Sequence, residues 1–265
     1  AVSVPHTGHG PSPALSPELT AKLSSAHAFT DHPIRFLLVG DSIAKTAVVG
    51  LEQGSIRRFG VWTIDGAVYG CDYDRVPAYY QEKLVIPFNL CLNWQSLYAA
   101  ELAESHPQVV GILVGRWTIC DRVVDGKITF VGQPAWDAHV VAEYSQIVDF
   151  FLARHVKVVL FNLPYFDPPD TQPDGAPYPE DEPSRVQAFD RDLAKVAADS
   201  HGRVDLFDLN AVLCPHGHFQ SEVDGVVVRM PDGLHVSLDG GIWLQPRVLP
   251  TIAGLGVGLP VDAAR

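Results

Sequence analysis

The sequence lacks the features shared by membrane-spanning and nucleic-acid-binding proteins. It has no apolar run of the roughly 18 residues needed for a bilayer-spanning helix, no signal peptide with a basic start, and no cluster of Lys and Arg. The formal net charge of −12 also disfavours phosphate-rich partners, because phosphate binding requires clustered cations. We therefore expect neither nucleic acid nor an anionic membrane surface as a partner.

Cysteine is scarce, and its four residues are Cys71, Cys91, Cys120 and Cys214. No C-x-x-C pair occurs among them, which disfavours zinc and redox motifs. Cys71 and Cys91 flank a polar, aromatic loop that a disulfide would stabilise by roughly 3 kcal/mol in the chain-entropy model. We expect this bridge in an oxidising compartment, with Cys120 and Cys214 forming a second one. The alternative is a reduced cytosolic protein with four buried thiols.

Two further motifs favour neither a metal nor a cofactor. Cys214 stands near His216 and His218, but no fourth ligand with recognisable zinc spacing accompanies them. The glycine-rich residues 254–258 have the pattern of a dinucleotide loop without the preceding strand and following helix that such a loop needs. We therefore expect no metal site and no cofactor.

Strand-like and helix-like patterns alternate along most of the chain. Strands are expected within residues 35–39, 58–70, 109–114, 157–163 and 204–209. Amphipathic or helical patterns follow each of them, which predicts an α/β fold of three layers, α/β/α, around a five-stranded parallel sheet of flavodoxin-like type. Residues 1–30, rich in Pro and Gly, are expected to form a linker or extension that ends in a short helical turn around Pro17 to Ser25, before one domain at residues 31–265.

The first strand leads into Gly40-Asp41-Ser42 and then directly into a helical pattern. Such a junction places Ser42 at the carboxyl end of a strand and the amino end of a helix. Backbone N–H groups at a helix start are unpaired, so an oxyanion formed by attack of the Ser42 hydroxyl would meet ready donors. The alternative is an ordinary tight turn in which Ser or Asp caps the helix.

A second motif near the end of the chain favours the catalytic interpretation. Asp232 precedes His235 by three residues, just before the last helical pattern. Asp232 would orient His235, and His235 would accept the proton of Ser42. Ser, then Asp, then His is a workable chain order for such a triad.

These two blocks resemble those of the SGNH (GDSL-like) hydrolase superfamily, with Gly-Asp-Ser first and Asp-x-x-His last. The resemblance implies that Gly70, at the end of the second strand, donates an oxyanion N–H beside that of Ser42, with Gly66 as the competing glycine. The family's third block, Gly-x-Asn-Asp, corresponds to residues 115–118, where Trp117 replaces the oxyanion Asn. Arg116 is the candidate replacement donor, and the alternative is a structural ion pair with Asp121.

The segment after the fourth strand is long, irregular and rich in Pro and acidic residues. Such a segment at the carboxyl end of a strand is typical of a lid or a disordered insertion. As a lid it would overhang Ser42, and Tyr165 and Phe166 would line a sugar-binding face with Trp117. The alternative for these aromatic side chains is packing within the core.

More specifically, the segments around Cys71, Cys91 and Trp94, the replaced third block and the run from Asp208 to His235 look like the extracytoplasmic SGNH domains fused to acyltransferase-3 membrane proteins. This resemblance implies transfer of a short acyl group, such as acetyl or succinyl, to a hydroxyl of a cell-envelope glycan. It also implies an acyl donor, a membrane acyltransferase-3 part joined through residues 1–30, and an extracytoplasmic location.

Three other functions remain open at this stage. A secreted carbohydrate esterase or deacetylase would use the same triad, with water in place of the glycan acceptor. The missing Asn also permits a non-catalytic glycan-binding domain. A flavodoxin-like nucleotide binder is a more distant alternative, because the sequence has no phosphate-binding loop.

Overall fold

The computed structural model describes residues 15–81, 83–87 and 89–259. In chain order the strands are β1 (Ile34–Gly40), β2 (Val61–Ala67), β3 (Ala78–Tyr80), β4 (Lys83–Val85), β5 (Val109–Leu113), β6 (Asp121–Val124), β7 (Lys127–Thr129), β8 (Lys157–Phe161), β9 (Val204–Phe207), β10 (Glu222–Val223) and β11 (Val226–Val227). The α-helices are α1 (Pro17–Ser25), α2 (Ser42–Leu51), α3 (Ser55–Phe59), α4 (Asn89–Leu92), α5 (Trp94–Ser105), α6 (Pro134–Leu152), α7 (Pro183–Asp199), α8 (Leu209–Leu213) and α9 (Leu238–Gly256). Two 3₁₀ turns span Arg116–Ile119 and Pro179–Asp181.

Among the residues that the structure describes, none of the helices combines the length and the apolar character required to cross a bilayer.

The central sheet has five parallel strands in the order β2-β1-β5-β8-β9, with helices on both faces. This is the three-layer α/β/α architecture that the sequence predicts. All five residues of β5 are buried, as expected for a strand in the middle of a parallel sheet. In such a sheet, ligands bind at the carboxyl ends of the strands.

A second, antiparallel sheet has the strand order β4-β3-β6-β7 and was not predicted from the sequence. Its strands are only three or four residues long, too short to give a clear alternation of apolar and polar residues. β3 and β4 follow β2, whereas β6 and β7 follow β5. The segments that build this accessory sheet therefore leave the central sheet at its carboxyl edge.

Helix α1 lies within the residues predicted as the linker, where the sequence indicates a short helical turn. Leu19 and Leu23 of α1 are fully buried, and so is Ala28 after the helix. Their burial places α1 in the core of the domain. The first fourteen residues of the predicted linker lie outside the described residues.

Helices α2 and α9 pack unusually closely where two glycines meet. A Cβ at Gly241 would lie 2.7 Å from the Cα of Gly50. The buried amide of Gln245 donates to the carbonyl oxygens of Gly50 at 2.8 Å and Gln53 at 2.9 Å, at the end of α2. These contacts fix the helix that carries Ser42 against the helix that follows the Asp232 to His235 segment.

Of the two expected disulfides, one is formed. Cys71 and Cys91 are bridged and connect the segment after β2 to α4. Cys120 and Cys214 are free and buried, so the expected second bridge is wrong. The thiols of Cys120 and Cys214 do not form a bridge because each is packed against different residues. The Cys120 thiol donates to the carbonyl oxygen of Arg116 at 3.5 Å, whereas the Cys214 thiol lies beside Arg229.

Thiol counting tests this assignment. In unreduced protein unfolded in guanidinium chloride, we expect a thiol reagent to titrate two cysteines, and four after reduction. In the native protein, Cys120 and Cys214 should react slowly, because both are buried. A count of zero or four thiols in the unfolded, unreduced protein would contradict the pairing.

Candidate active site

Ser42 lies where β1 ends and α2 begins, at the carboxyl edge of the central sheet. Gly40 ends the strand with a φ of 141°, and a Cβ there would lie 1.6 Å from the carbonyl oxygen of Leu113 in β5. Only glycine permits this approach. Because Ser42 is the first residue of α2, its backbone N–H has no acceptor within the helix. The junction therefore presents a hydroxyl and an unpaired N–H together.

Asp41, the residue before Ser42, is buried and caps α2. Its Oδ1 accepts a hydrogen bond from the backbone N–H of Ile43 at 2.9 Å, the usual role of an aspartate at this position. Its Oδ2 is buried and has no hydrogen-bond partner among the described residues. Burial raises the pKa of Asp41 to about 7, although the bond from Ile43 acts in the opposite direction. This carboxyl therefore titrates near neutral pH.

Gly115, the glycine of the third block, lies directly against this carboxyl. A Cβ at position 115 would lie 2.7 Å from Asp41 Oδ2 and 2.6 Å from the side chain of Ile43. Any larger residue would push the end of β5 away from the junction that carries Ser42. The glycine is thus required for packing beneath the nucleophile.

Asp232 and His235 form the predicted couple in the loop before α9. His235 Nδ1 lies 2.7 Å from Asp232 Oδ2. The other carboxylate oxygen, Oδ1, accepts the backbone N–H groups of Leu234 at 2.9 Å and His235 at 3.0 Å. The imidazole is held by Nδ1, which leaves Nε2 for proton transfer.

The electrostatics of the couple suit a catalytic base. Partial burial acts to raise the pKa of Asp232, but the hydrogen bonds from the side chain and backbone of His235 outweigh it and lower that pKa below its ordinary value. An ionised Asp232 can stabilise an imidazolium on His235 as it forms. The His235 side chain is 23% exposed, so a substrate can reach it.

The loop of residues 230–235 is also anchored to the segment after β8. The backbone N–H of Asp167 donates to the carbonyl oxygen of Gly233 at 3.1 Å. Gly233 has a φ of 69°, and a Cβ there would lie 1.9 Å from the carbonyl oxygen of Asp167. The glycine between Asp232 and His235 is therefore needed for this close contact.

Ser42 lies at the carboxyl edge and the loop of His235 contacts the segment after β8, but no hydrogen bond joins the Ser42 hydroxyl to His235 in the described structure. Catalytic hydrogen bonds are often long in the absence of substrate and tighten in the reacting complex. The structure thus brings Asp232 and His235 together directly, whereas contact with Ser42 stays a prediction.

The two candidate oxyanion glycines differ in position. Gly66 is the penultimate residue of β2, in register with Val39 of β1. Gly70 lies beyond the strand, with a φ of 69°. The N–H of Val68 donates to the carbonyl oxygen of Gly40 at 2.8 Å, which ties this turn to the strand that ends before Ser42. The oxyanion role of Gly70 stays a prediction.

Arg116 is an ion-pair residue, but with a different partner from the one expected. Its guanidinium is buried and pairs with the buried carboxylate of Asp181, and it donates to the hydroxyl of Tyr80 at 2.8 Å. Asp121 pairs instead with Arg185 at 2.6 Å. Arg116 thus connects the turn after β5 to β3 and to the second 3₁₀ turn. Its terminal nitrogens are occupied by these partners, which argues against the expected donor role at the oxyanion.

The three aromatic residues expected to bind sugar fall into two groups. Tyr165 and Phe166 are buried, and the Tyr165 hydroxyl accepts a hydrogen bond from Gln187 at 3.1 Å, so these two rings are packed rather than presented to a ligand. Trp117 is half-buried and stacks on Tyr80 of β3, with ring centroids 4.2 Å apart and an interplanar angle of 26°. Trp117 and Tyr80 therefore form a half-buried aromatic pair at the turn after β5.

Tyr80 was not identified from the sequence as a site residue. The only signal was the aromatic pair at positions 79 and 80 inside the polar loop between Cys71 and Cys91. Nothing in that loop predicted that β3 would fold back beside the turn after β5. Among the described residues, His, Cys, Asp and Glu side chains form no cluster of three or more that would hold a metal ion.

Comparison with known families gives a match over most of the chain. Residues 16–250 match the family described as "SGNH domain (fused to AT3 domains)", AT3 being acyltransferase-3. No curated protein sequence matches the chain significantly.

Solved structures with similar folds include three hydrolase relatives. A carbohydrate acetylesterase from Sinorhizobium meliloti has 15% identity and a TM-score of 0.56, with 83% of this chain and 99% of that chain covered. A candidate acylhydrolase from Bacteroides fragilis has 12% identity and a TM-score of 0.52, covering 90% and 97%. A candidate lipolytic protein of the G-D-S-L family from Desulfitobacterium hafniense has 11% identity and a TM-score of 0.51, covering 82% and 98%. At these identities the likeness concerns the fold.

The buried carboxyl of Asp41 makes a prediction for stability. Its pKa is raised from 3.8 to about 7 in the folded protein, so the folded state holds this proton more tightly than the unfolded state. The protonated carboxyl makes its full contribution to stability below about pH 4. As the pH rises through about 7 this contribution is lost, and the free energy of unfolding should fall by up to a few kcal/mol. Asp41→Asn keeps the helix cap and should make that pH dependence shallower.

Urea unfolding of wild type and Asp41→Asn at several pH values between about 4 and 8 measures this difference. Asp31→Asn, at an exposed position, removes the same charge and serves as the control. Equal pH slopes for wild type and Asp41→Asn would contradict the assignment.

Proposed function

The chain belongs to the family of SGNH domains found fused to acyltransferase-3 domains, and on that premise we propose that it transfers a short acyl group to a hydroxyl of a cell-envelope glycan. The acyl group is of acetyl or succinyl type. The observation that carries the proposal is the hydrogen-bonded couple of Asp232 and His235, at the sheet edge where Ser42 begins α2. Membership of the superfamily of esterases and acylhydrolases supplies the reaction class.

The first half-reaction would acylate the enzyme. The Ser42 hydroxyl attacks the carbonyl carbon of the acyl donor while His235 Nε2 takes the hydroxyl proton. The backbone N–H groups of Ser42 and Gly70 stabilise the oxyanion. Collapse of the tetrahedral intermediate breaks the bond to the leaving group, which receives the proton from His235, and leaves the acyl group on Ser42.

The second half-reaction would use the same groups in reverse order. His235 takes the proton of a sugar hydroxyl, and the sugar oxygen attacks the acyl carbon on Ser42. The serine oxygen leaves and regains a proton from His235. Water in place of the sugar gives hydrolysis, so a carbohydrate esterase would use identical residues. Only the competition between water and acceptor separates the two activities.

The acceptor would bind at the pair formed by Trp117 and Tyr80. The apolar C–H faces of a sugar ring pack well on an indole, and Trp117 is half-buried with Tyr80 stacked against it. Trp117 stands where the superfamily pattern has its oxyanion Asn. The chain would therefore have exchanged one side-chain donor, worth roughly 3 kcal/mol of transition-state stabilisation elsewhere, for an aromatic surface.

Location and partner follow from the same proposal. A membrane acyltransferase-3 domain would deliver the acyl group, and the SGNH domain would work on the extracytoplasmic side. The Cys71–Cys91 disulfide supports an oxidising compartment. A non-catalytic glycan-binding role is disfavoured by the intact hydrogen bond between Asp232 and His235, which binding alone does not require.

The direct test measures release of p-nitrophenol from p-nitrophenyl acetate, with and without an oligosaccharide acceptor. We expect Ser42-dependent release that accelerates with acceptor and yields an acylated sugar detectable by mass spectrometry. Ser42→Ala should abolish release, whereas Ser96→Ala, at an exposed position on α5, should not change it.

The outcomes separate the candidate functions. Ser42-dependent release without a sugar product, across a panel of envelope oligosaccharides, would favour the esterase. Release that is equal in wild type and Ser42→Ala would contradict the nucleophile assignment and favour a binding domain.

A further inference from the structure

Arg229 is the one buried arginine among the described residues without a carboxylate partner. Its side chain is 1% exposed. The other buried arginines are Arg116, Arg122 and Arg185, and each forms an ion pair with an aspartate. A buried cation without a counter-ion is costly, and burial lowers the pKa of Arg229 accordingly. Such a cost indicates that the guanidinium is needed where it lies.

Arg229 contacts the backbone beside His235. One terminal nitrogen donates to the carbonyl oxygen of Leu234 at 2.8 Å. That carbonyl belongs to the peptide unit joining Leu234 to His235, and the N–H of the same unit donates to Asp232 Oδ1 at 3.0 Å. The peptide plane that carries His235 is therefore held on both sides, by Asp232 through its N–H and by Arg229 through its carbonyl.

The second terminal nitrogen connects this loop to the rest of the domain. It donates to the carbonyl oxygen of Tyr165, in the segment after β8, at 3.1 Å. Two backbone contacts close the loop at its base: a β-bridge between Arg229 and Val236, and a bond from the N–H of Met230 to the carbonyl oxygen of His235 at 2.8 Å. Arg229 thus fixes the loop internally and relative to the central sheet.

From these contacts we infer that Arg229 is a positioning residue, which sets the orientation of His235 by holding the Leu234–His235 peptide against the segment after β8. The inference rests on the proposed role of His235 as the catalytic base. A planar guanidinium is required because two carbonyl oxygens on separate segments must be bonded at once, in fixed directions. A lysine ammonium can reach one of them as a point charge but does not reproduce the fork.

If Arg229 only positions His235, its replacement should lower kcat and leave KM nearly unchanged. Misorientation of His235 slows proton transfer without altering the surface that binds the ester, and small misplacements of a catalytic group cost up to about 100-fold. We therefore expect Arg229→Met to lower kcat for p-nitrophenyl acetate about 10- to 100-fold at nearly unchanged KM. Arg229→Lys should recover part of the loss.

The matched control is Arg185→Met. Arg185 is also buried and also bonds a backbone carbonyl, that of Ile119, but its carboxylate partner is Asp121 and it makes no contact with the loop of residues 230–235. We expect this variant to lose stability while keeping kcat, at a temperature where it is folded. A proton NMR spectrum adds a readout independent of turnover. The low-field signal of the His235 Nδ1 proton, expected from its bond to Asp232, should shift or broaden in Arg229→Met and persist in Arg185→Met.

Each outcome decides the inference. A wild-type kcat and an unmoved low-field signal in Arg229→Met would overturn the positioning role while leaving the proposed function intact. Absence of Ser42-dependent cleavage in wild type would instead contradict the proposed function. If Arg229→Met does not fold, Arg229→Lys carries the test: wild-type kcat with an unshifted signal overturns the inference, and a reduced kcat at constant KM supports it.

Discussion

The close packing of β1 against β5 at Gly40 determines the position of Ser42, the proposed nucleophile. The α-carbon of Gly40 lies so near the carbonyl oxygen of Leu113 that no side chain fits between them. One residue later Asp41 is buried and caps α2, and Gly115 closes over its carboxyl. The three residues of the Gly-Asp-Ser block therefore play separate physical roles, since the glycine permits close approach, the aspartate caps the helix and the serine presents a hydroxyl.

Around that junction, buried arginines hold together segments that the central sheet alone would not position. Arg116 and Arg122 connect the turn after β5 to the accessory sheet and to the segment after β2. Each has a carboxylate partner, so each ion pair is neutral overall and its main effect is to fix backbone. Arg229 bonds only neutral groups and acts on the loop of His235. Buried arginines thus hold the scaffold at Arg116 and Arg122, and by our inference a third, Arg229, holds the loop of the proposed triad.

The central fold could be predicted from the sequence because its strands are apolar runs and its helices have apolar residues at helical spacing. β5 is a continuous apolar run, β8 is apolar after Lys157, and α6 has one apolar face, so local pattern and final burial agree. The triad residues were also accessible to sequence reasoning, since Asp232 and His235 are close in the chain and their contact is local.

The parts that were missed depend on contacts between distant segments. The strands of the accessory sheet are too short to give a pattern, and Tyr80 meets Trp117 only because β3 pairs with β6. The ion pair of Arg116 with Asp181 joins residues far apart in sequence, whereas the nearer Asp121 was expected. Burial of Tyr165 and Phe166 likewise depends on how the segment after β8 folds back, which no local pattern encodes. Cys120 and Cys214 could not be paired or separated without knowing their neighbours.

The central claim is that Ser42 is a nucleophile activated by His235. It is tested most directly by reaction with an alkyl fluorophosphonate, followed by intact-protein and peptide mass spectrometry. The account predicts a single adduct on the peptide that contains Ser42 in wild type, none in Ser42→Ala, and strongly slowed labelling in His235→Gln. Absence of an adduct in wild type, or an adduct that persists in Ser42→Ala, would contradict it.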